Sequence, residues 1–365
     1  MTGALLLAIE TSCDETGIAV VEDGRRIRAN VVASQVALHA PAGGIVPELA
    51  ARAHLRWVLP LLDTALAEAG TGLDEIDALA VTAGPGLAGS LIVGINAAKG
   101  LAWALERPLV PVNHLEGHIY AAWLDDPEAP DRPAPAFPVL ALVVSGGHTF
   151  LAEMRDHLTY RLLGQTVDDA AGEAFDKVGR LLGLGYPGGP AIERAAARAV
   201  RRDLRFPRAW LPGTYDFSFS GLKTAVLRAV RAAAGGSATA GGSAGSLASA
   251  TGAAEGALDP DLVSELAFAF QDSVVDVLAE KTLRAAREIG AASIVVGGGV
   301  AANQALRERL TVGAREVGVP LIVPRPSLCT DNGAMIGAAG ARRLARGDRA
   351  DLALDARPSL PLGSA

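Results

Sequence analysis

Two stretches of this chain share one layout of short apolar runs and turns, and this repetition restricts the fold more than any other feature. The first stretch has apolar runs at residues 5–9, 17–21 and 27–32, separated by polar turns. The second has runs at 139–144, 148–154 and 160–163. Alternating apolar side chains, β-branched residues and turn dipeptides predict antiparallel hairpins in both stretches.

Each stretch is followed by one more apolar strand that runs into glycines and then a helix. Residues 78–82 lead to a glycine-rich loop at 84–89 and a helix through 102. Residues 293–296 lead to three glycines at 297–299 and a helix at about 303–310. Two hairpin-plus-strand-helix units predict a duplicated α/β domain with a cleft between its halves.

Two further segments do not fit the repeated layout. Residues 125–138 are rich in proline and acid and are predicted to connect the halves. Residues 232–257 are almost entirely Gly, Ala, Ser and Thr, which cannot bury a core, so they are predicted to form a flexible insertion.

Composition excludes several classes of protein. The 42 glycines of 365 residues follow no Gly-X-Y period, which excludes collagen, and two cysteines are too few for a disulfide framework. A net charge of −7 argues against a protein that binds nucleic acid through its overall charge. The first residues lack the charge of a secretory signal, and the sequence has no run of about 18 apolar residues. We therefore expect a cytoplasmic protein with no membrane association.

The sharpest local signal is the pair His114 and His118. Histidines four apart on a helix lie on one face, so both imidazoles can reach one metal ion. The alternative is a pair of ordinary buried or surface histidines. Glu116 follows the first histidine by two residues instead of one, which disfavours a His-Glu-x-x-His zinc protease.

Asp331 is a candidate third ligand, because it lies at a turn before the last apolar helix. Its alternative role is to cap that helix. Two histidines and one carboxylate suit Fe²⁺ or Zn²⁺ and leave positions open for a substrate oxygen.

Glycine turns are candidates for binding phosphate. Residues 145–147 and 297–299 offer backbone amides that an anion could approach without interference from a Cβ atom. Together with residues 10–12 at the equivalent first hairpin, they predict a nucleotide in the cleft, although each turn alone could be only a turn.

Charged residues crowd the stretch that follows. Residues 168–177 contain four carboxylates, and six arginines lie between 194 and 208. The arginine run is either a solvated helix face or a patch for a phosphate backbone.

Seven segments, in order along the chain, resemble the signature motifs of one family. They are residues 7–16, 114–118, 144–149, 169–177, 217–224, 298–303 and 331–333. The family is tRNA N6-adenosine threonylcarbamoyltransferase (TsaD), once described as an O-sialoglycoprotein endopeptidase. The resemblance implies an actin-like, sugar-kinase-like duplicated ATPase fold, with two lobes around a central nucleotide cleft. The implied lobes are residues 1–130, completed by a helix at about 331–350, and residues 139–330.

The resemblance also implies roles for particular residues. His114, His118 and Asp331 would hold one Fe²⁺ ion, with Zn²⁺ or Mn²⁺ as alternatives. Asp14 and Glu15 lie where the family has acidic residues important to activity. Archaeal relatives present a tyrosine to the metal where this chain has Val143. The positions implied to contact the nucleotide-bearing substrate are Val143, Val144, Ser145, Gly146, Gly147, Asp176, Gly189, Glu193 and Asn303.

The implied activity moves a threonylcarbamoyl group from threonylcarbamoyl-AMP to N6 of the adenosine 3′ of the anticodon, releasing AMP. The tRNAs are those that read codons beginning with A. The implied partners are the non-catalytic paralogue TsaB and the small ATPase TsaE. An ATP-dependent phosphotransferase and a chaperone-like ATPase on the same fold are the alternatives.

Overall fold

The computed structural model describes residues 3–233 and 258–364. The strands are β1 (Leu5–Glu10), β2 (Glu15–Glu22), β3 (Arg26–Ser34), β4 (Ala78–Gly84), β5 (Leu109–Asn113), β6 (Val139–Val144), β7 (Thr149–Asp156), β8 (Thr159–Gln165), β9 (Ser293–Gly297) and β10 (Leu321–Ile322). The helices are α1 (Val36–His39), α2 (Pro47–Ala69), α3 (Ala88–Leu105), α4 (His114–Tyr120), α5 (Ala171–Leu181), α6 (Gly188–Ala197), α7 (Ser220–Ala233), α8 (Pro260–Ile289), α9 (Gln304–Val317), α10 (Pro326–Cys329) and α11 (Gly333–Arg346).

The strands form two five-stranded sheets with the same topology. The first has the order β3-β2-β1-β4-β5 and the second has the order β8-β7-β6-β9-β10. In each sheet the first three strands are antiparallel, and the fourth and fifth run parallel to the first. The predicted hairpins are therefore present in both copies.

Period-two alternation along the strands decides which side chains meet each helical layer. Leu7 and Ile9 of β1 face a core formed with α2 and α3, whereas Leu6 and Ala8 face a core that contains residues of both sheets. Helix α11 packs closely on the first sheet, since a Cβ atom at Gly340 would lie 2.6 Å from the side chain of Ala80. The C-terminal helix thus lies against the strands of the first sheet.

Helix α9 differs from its predicted length. It continues to Val317, seven residues beyond the predicted end at residue 310. Leu306, Leu310 and Ala314 keep one apolar face buried through those turns, and Gly318 ends the helix with a φ of 70°.

The predicted insertion lies largely outside the described residues, since only residues 232 and 233 belong to α7. The exact lobe boundaries stay a prediction. One helix in the described part of the chain, α3, is long and apolar enough to cross a membrane by length and composition. Its buried face, which includes Leu91 and Ile95, packs in the core beside the first sheet.

Candidate functional site

Helix α4 brings two histidines to the end of the first sheet. It begins directly after β5, where the Asn113 side chain accepts a hydrogen bond from the Leu115 amide at 3.0 Å and caps the helix. His114 and His118 follow each other after one turn, with ring centroids 4.7 Å apart, and both are buried. The sequence pattern therefore placed the pair correctly on one helix face.

Asp331 completes a group of three. Its Oδ1 lies 3.2 Å from His118 Nε2 and 3.6 Å from His114 Nε2. One ligand atom from each residue lies within 4.8 Å of the others. The alternative role of Asp331 as a helix cap is wrong, because the Asn332 side chain accepts the Met335 amide at the start of α11.

The group has the chemistry of a metal site. Both ring nitrogens of His118 are buried without a hydrogen-bond partner, although Nε2 faces the Asp331 carboxylate. An unpartnered buried polar atom costs about 1–3 kcal/mol, and a metal ion between Nε2 and the carboxylate would remove that cost at Nε2. The three residues could thus hold a metal ion.

Glu10, at the end of β1, supports His114 from behind. Its Oε2 accepts a hydrogen bond from His114 Nδ1 at 3.0 Å and another from the Thr82 hydroxyl at 2.7 Å. Fixing Nδ1 in this way leaves Nε2 directed to Asp331, as carboxylates behind metal-binding histidines do. Sequence reasoning placed Glu10 only in a nucleotide-binding turn and missed this contact.

The charges of the group shift its proton affinities strongly. Burial alone would lower the pKa of His114, but the carboxylates of Asp331 and Glu10 outweigh it and raise that pKa to about 9. Burial would raise the pKa of Asp331, but His114 and His118 lower it to about 2. Without a metal, the group therefore holds a proton on His114 and a charge on Asp331 near neutral pH.

Glu116 takes no part in this group. Its carboxylate is buried and paired with Arg343 at 2.6 and 2.8 Å, which ties α4 to α11. A general base must reach the reacting water, and Glu116 cannot do so while it is buried in this ion pair. The zinc-protease alternative is therefore excluded.

Asp14 and Glu15 lie in and just after the turn between β1 and β2. Burial, Asp331 and Asp14 raise the pKa of Glu15 to about 10. The turn is held from α2, because His54 Nε2 donates to the Cys13 carbonyl at 3.0 Å and its Nδ1 accepts from the Thr16 hydroxyl at 2.7 Å. His54 is fully buried, and sequence reasoning missed it.

The equivalent turn of the second sheet, at residues 145–148, carries two glycines and His148, whose pKa is lowered to about 4 by burial and by His114 and His118. A Cβ atom at Gly146 or Gly147 would meet nothing within 4 Å, and the same holds for Gly189. The side chains of Val143 and Val144 lie in the core, so these residues can offer only backbone atoms.

Three polar residues of the second half cap or join its helices. Asp176 accepts the Gly188 amide at 2.7 Å, and Glu193 accepts the Gln304 amide at 2.6 Å. Asn303 caps α9 by accepting the Leu306 amide at 3.0 Å. Burial raises the pKa of Tyr186, and the carboxylates of Asp14 and Asp176 raise it further. Tyr186 therefore lies near Asp14, which belongs to the first half of the molecule.

The fold and the site define a duplicated α/β protein with a His-His-Asp group that could hold a metal ion. HypF of T. kodakarensis has a TM-score of 0.58 at 14% identity, covering 94% of this chain and 48% of that one. Component A of the Acidaminococcus fermentans (R)-2-hydroxyglutaryl-CoA dehydratase has a TM-score of 0.50 at 14% identity, covering 94% and 99%. With the repeated sheet topology, these likenesses confirm the predicted actin-like, sugar-kinase-like fold class.

Sequence comparisons identify the family. Residues 26–338 match the family model described as TsaD, tRNA N6-adenosine threonylcarbamoyltransferase. The relative of that name from Thermomicrobium roseum is 55% identical, covering 98% of this chain and 97% of its own. The one from Staphylococcus aureus is 44% identical, covering 98% and 97%. The chain therefore belongs to the tRNA N6-adenosine threonylcarbamoyltransferase family.

Proposed function

We propose that this chain transfers the threonylcarbamoyl group of threonylcarbamoyl-AMP to N6 of the adenosine 3′ of the anticodon, in tRNAs reading codons that begin with A. AMP is the second product. The observation that carries the proposal is the buried His114, His118 and Asp331 group in a member of this transferase family. An ATP-dependent phosphotransferase or a chaperone-like ATPase gives this group no role.

His114, His118 and Asp331 would hold the metal, which we propose is Fe²⁺, with Zn²⁺ or Mn²⁺ as alternatives. When bound, such an ion acts as a Lewis acid that polarises a carbonyl group. The protein's own contribution is orientation, because Glu10 fixes His114 and the α4–α11 packing fixes the distance to Asp331.

The open glycine turns support a role in binding the adenylate. Phosphate oxygens could approach the amides of Gly146 and Gly147, where no side chain intervenes. The Ser145 amide is engaged, because it donates to the His148 carbonyl at 2.8 Å. We assign the nucleoside to the edge formed by Asp176, Gly189, Glu193 and Asn303. The backbone of Val143 and Val144 would complete this nucleoside-binding edge. Holding both parts of the substrate places the carbonyl for attack by the amine.

Asp14 is our candidate for receiving a proton from the attacking amine. In the metal-free chain Glu15 suits this role poorly, because a carboxyl with a pKa of about 10 already carries its proton at neutral pH. Asp14 raises the pKa of both Glu15 and Tyr186, so its carboxylate lies near both side chains.

Binding of tRNA needs more than this chain's own charge. Arg208 of the arginine run is engaged with Asp272 at 2.6 Å and Asp276 at 2.7 Å, so it is not free to bind phosphate. Arg201 is highly exposed and 3.4 Å from Asp203. We propose that the exposed arginines of the run contribute locally and that partner proteins supply the remaining contacts.

TsaB and TsaE are the partners we propose, in the cytoplasm. A surface for TsaB is supported by large apolar side chains exposed on α2 and α3. They are Leu55, Trp57, Leu59, Ile92 and Trp103, exposed by 44–73%. Such a patch is typical of a protein-binding face.

Reconstitution tests the proposed function. The chain, TsaB, TsaE, threonylcarbamoyl-AMP and unmodified tRNA are incubated, and the tRNA nucleosides are analysed by mass spectrometry. We expect threonylcarbamoyladenosine with the intact chain and none with an Asp14→Asn chain in a single turnover. Unchanged chemistry in that variant would remove Asp14 from the mechanism, and no product with the intact chain would contradict the function.

A further inference from the structure

A second cavity lies away from the substrate cleft, between the two halves of the molecule. Its volume is about 510 Å³, which is in the range of small-molecule sites. The β2–β3 turn, the segment after α4, the connector at 125–138 and Arg325 line it. We call it the connector cavity.

Four arginines line the connector cavity, against two aspartates. Arg25 pairs with Asp125 at 2.9 Å, and Arg26 lies 3.6 Å from Glu22. The second aspartate, Asp126, accepts a hydrogen bond from the Glu128 amide. The lining therefore carries a surplus of positive charge.

The other two arginines have no carboxylate within 4.0 Å in the part of the chain that the structure describes. Arg132 donates to the carbonyls of Leu124 at 2.6 Å and Ala122 at 3.4 Å, which do not balance its charge. Its Nη1 and the Nε of Arg325 are buried without a hydrogen-bond partner. Neither guanidinium charge is balanced by a carboxylate of the described residues, and an anion in the cavity would balance both.

The shape of the donors favours phosphate. Guanidinium groups bind phosphate oxygens through paired N–H donors, and such charged hydrogen bonds are among the strongest that proteins make. Arg132 comes from the connector and Arg325 from the start of α10, so one anion could bridge two segments far apart in sequence. Trp123 and the prolines of the connector supply an apolar wall.

We propose that the connector cavity is a binding site for a small anion that carries a phosphate group, either free phosphate or a phosphate ester. The site is separate from the substrate cleft. Helix α4 starts at His114, and its continuation reaches the cavity at Ala122–Leu124, roughly 15 Å further along at 1.5 Å per residue.

Tryptophan fluorescence offers a local measurement. The chain has four tryptophans, and Trp123 is the one that lines the cavity. In a chain carrying Trp57→Phe, Trp103→Phe and Trp210→Phe, emission reports on Trp123. Titration at constant ionic strength with inorganic phosphate, pyrophosphate and glycerol 3-phosphate, none of which carries the adenosine that the cleft is proposed to bind, should give a saturable change. The tightest of the three probes distinguishes free phosphate from an ester.

Variants test the assignment to the two arginines. In the same background, Arg325→Gln and Arg132→Gln should each raise the midpoint about tenfold or more, since each removes a charged hydrogen bond. Arg325→Lys keeps the positive charge but loses the paired N–H donors of the guanidinium, so it should raise the midpoint less. Arg228→Gln, at an exposed arginine of α7, is the matched control and should leave it unchanged.

Arg132→Gln also loses two hydrogen bonds to backbone carbonyls, so circular dichroism must first show that it folds. If Arg132→Gln does not fold, the binding midpoints of Arg325→Gln and Arg325→Lys test the proposal. No saturable change with any of the three probes would overturn the proposal. So would a midpoint that Arg325→Gln leaves unmoved.

Discussion

The two hairpin turns at the cleft occupy equivalent places in the two sheets, and they differ completely in chemistry. The β1–β2 turn carries Asp14 and leads to Glu15, beside Glu10 and the His-His-Asp group. The β6–β7 turn carries Ser145, two glycines whose Cβ positions are open, and His148, which burial and the neighbouring histidines keep uncharged at neutral pH. One copy of the unit therefore presents carboxylates, and the other presents glycine backbone and a neutral imidazole.

The difference shows how a duplicated fold can divide one site. Charged side chains that are buried need fixed partners, and the first copy supplies them from β1, β4 and α4. A ligand phosphate needs room and amide donors, and the second copy offers both at Gly146 and Gly147. Substitutions on each side of the cleft can therefore test this division separately.

The largest effect is expected at the metal group. Asp331→Asn keeps the shape of the side chain and removes its charge between two histidines. Direct ligands matter more than outer-shell partners, whose loss already costs about 10–100-fold, so we expect transfer to fall by about 100-fold or more. Single-turnover rates measure this. Asp355→Asn, at an exposed site, is the control, and equal rates in the two variants would contradict the assignment.

Glu10 tests whether the first copy orients its ligands. Glu10→Ala leaves His114 Nδ1 without its carboxylate, and we expect metal affinity to fall about 10–100-fold. Competition with a chelator measures the affinity. Glu10→Gln keeps an acceptor oxygen for Nδ1 and should lose less. Equal affinities in the alanine variant and the intact chain would show that Glu10 does not orient His114.

Gly146 tests the open backbone of the second copy. A valine there meets no protein atom at its Cβ position, so unfolding free energy should change by at most about 0.5 kcal/mol. The side chain would obstruct the proposed phosphate path, and we expect the KM for threonylcarbamoyl-AMP to rise about tenfold. Metal content should stay the same.

Gly172→Val is the contrasting control for that experiment. Its Cβ atom would lie 2.5 Å from the Ser145 carbonyl, so this variant should unfold at a lower temperature. A Gly146→Val chain with unchanged KM would show that the substrate does not approach this turn.

The smallest effect concerns Glu15 and pH. Its pKa rises from an ordinary 4.5 to about 10 in the metal-free fold, so the folded chain keeps a proton that the unfolded chain releases. Stability contributed by this group is thus present below pH 4.5 and is lost as pH rises toward 10.

Glu15→Gln removes that dependence. We expect the metal-free variant to have a higher Tm than the intact chain at pH 8, with no difference at pH 4.5. Glu68→Gln, at an exposed position of α2, should change neither. An equal gain in Tm at both pH values would contradict the claim that Glu15 holds a buried proton.

The sequence predicted what depends on local periodicity. Alternation predicted the hairpins, and the spacing of His114 and His118 predicted a shared helix face. Contacts between distant residues were harder, because nothing local marks them. Glu10 reaches His114 across 104 residues, and His54 reaches the Cys13 carbonyl across 41. The arginine run looked uniform in sequence, yet two aspartates of α8 pair closely with Arg208, whereas Arg201 stays highly exposed and lies 3.8 Å from Glu265 of the same helix.

The central claim is that the first copy holds a metal ion through His114, His118 and Asp331. Metal analysis of the purified chain against a His114→Ala, His118→Ala double variant tests it most directly. Circular dichroism and AMP binding confirm that the double variant keeps its fold and its second-copy surface. We predict one metal ion per intact chain and none in the variant. Equal metal content in the two proteins would contradict the account.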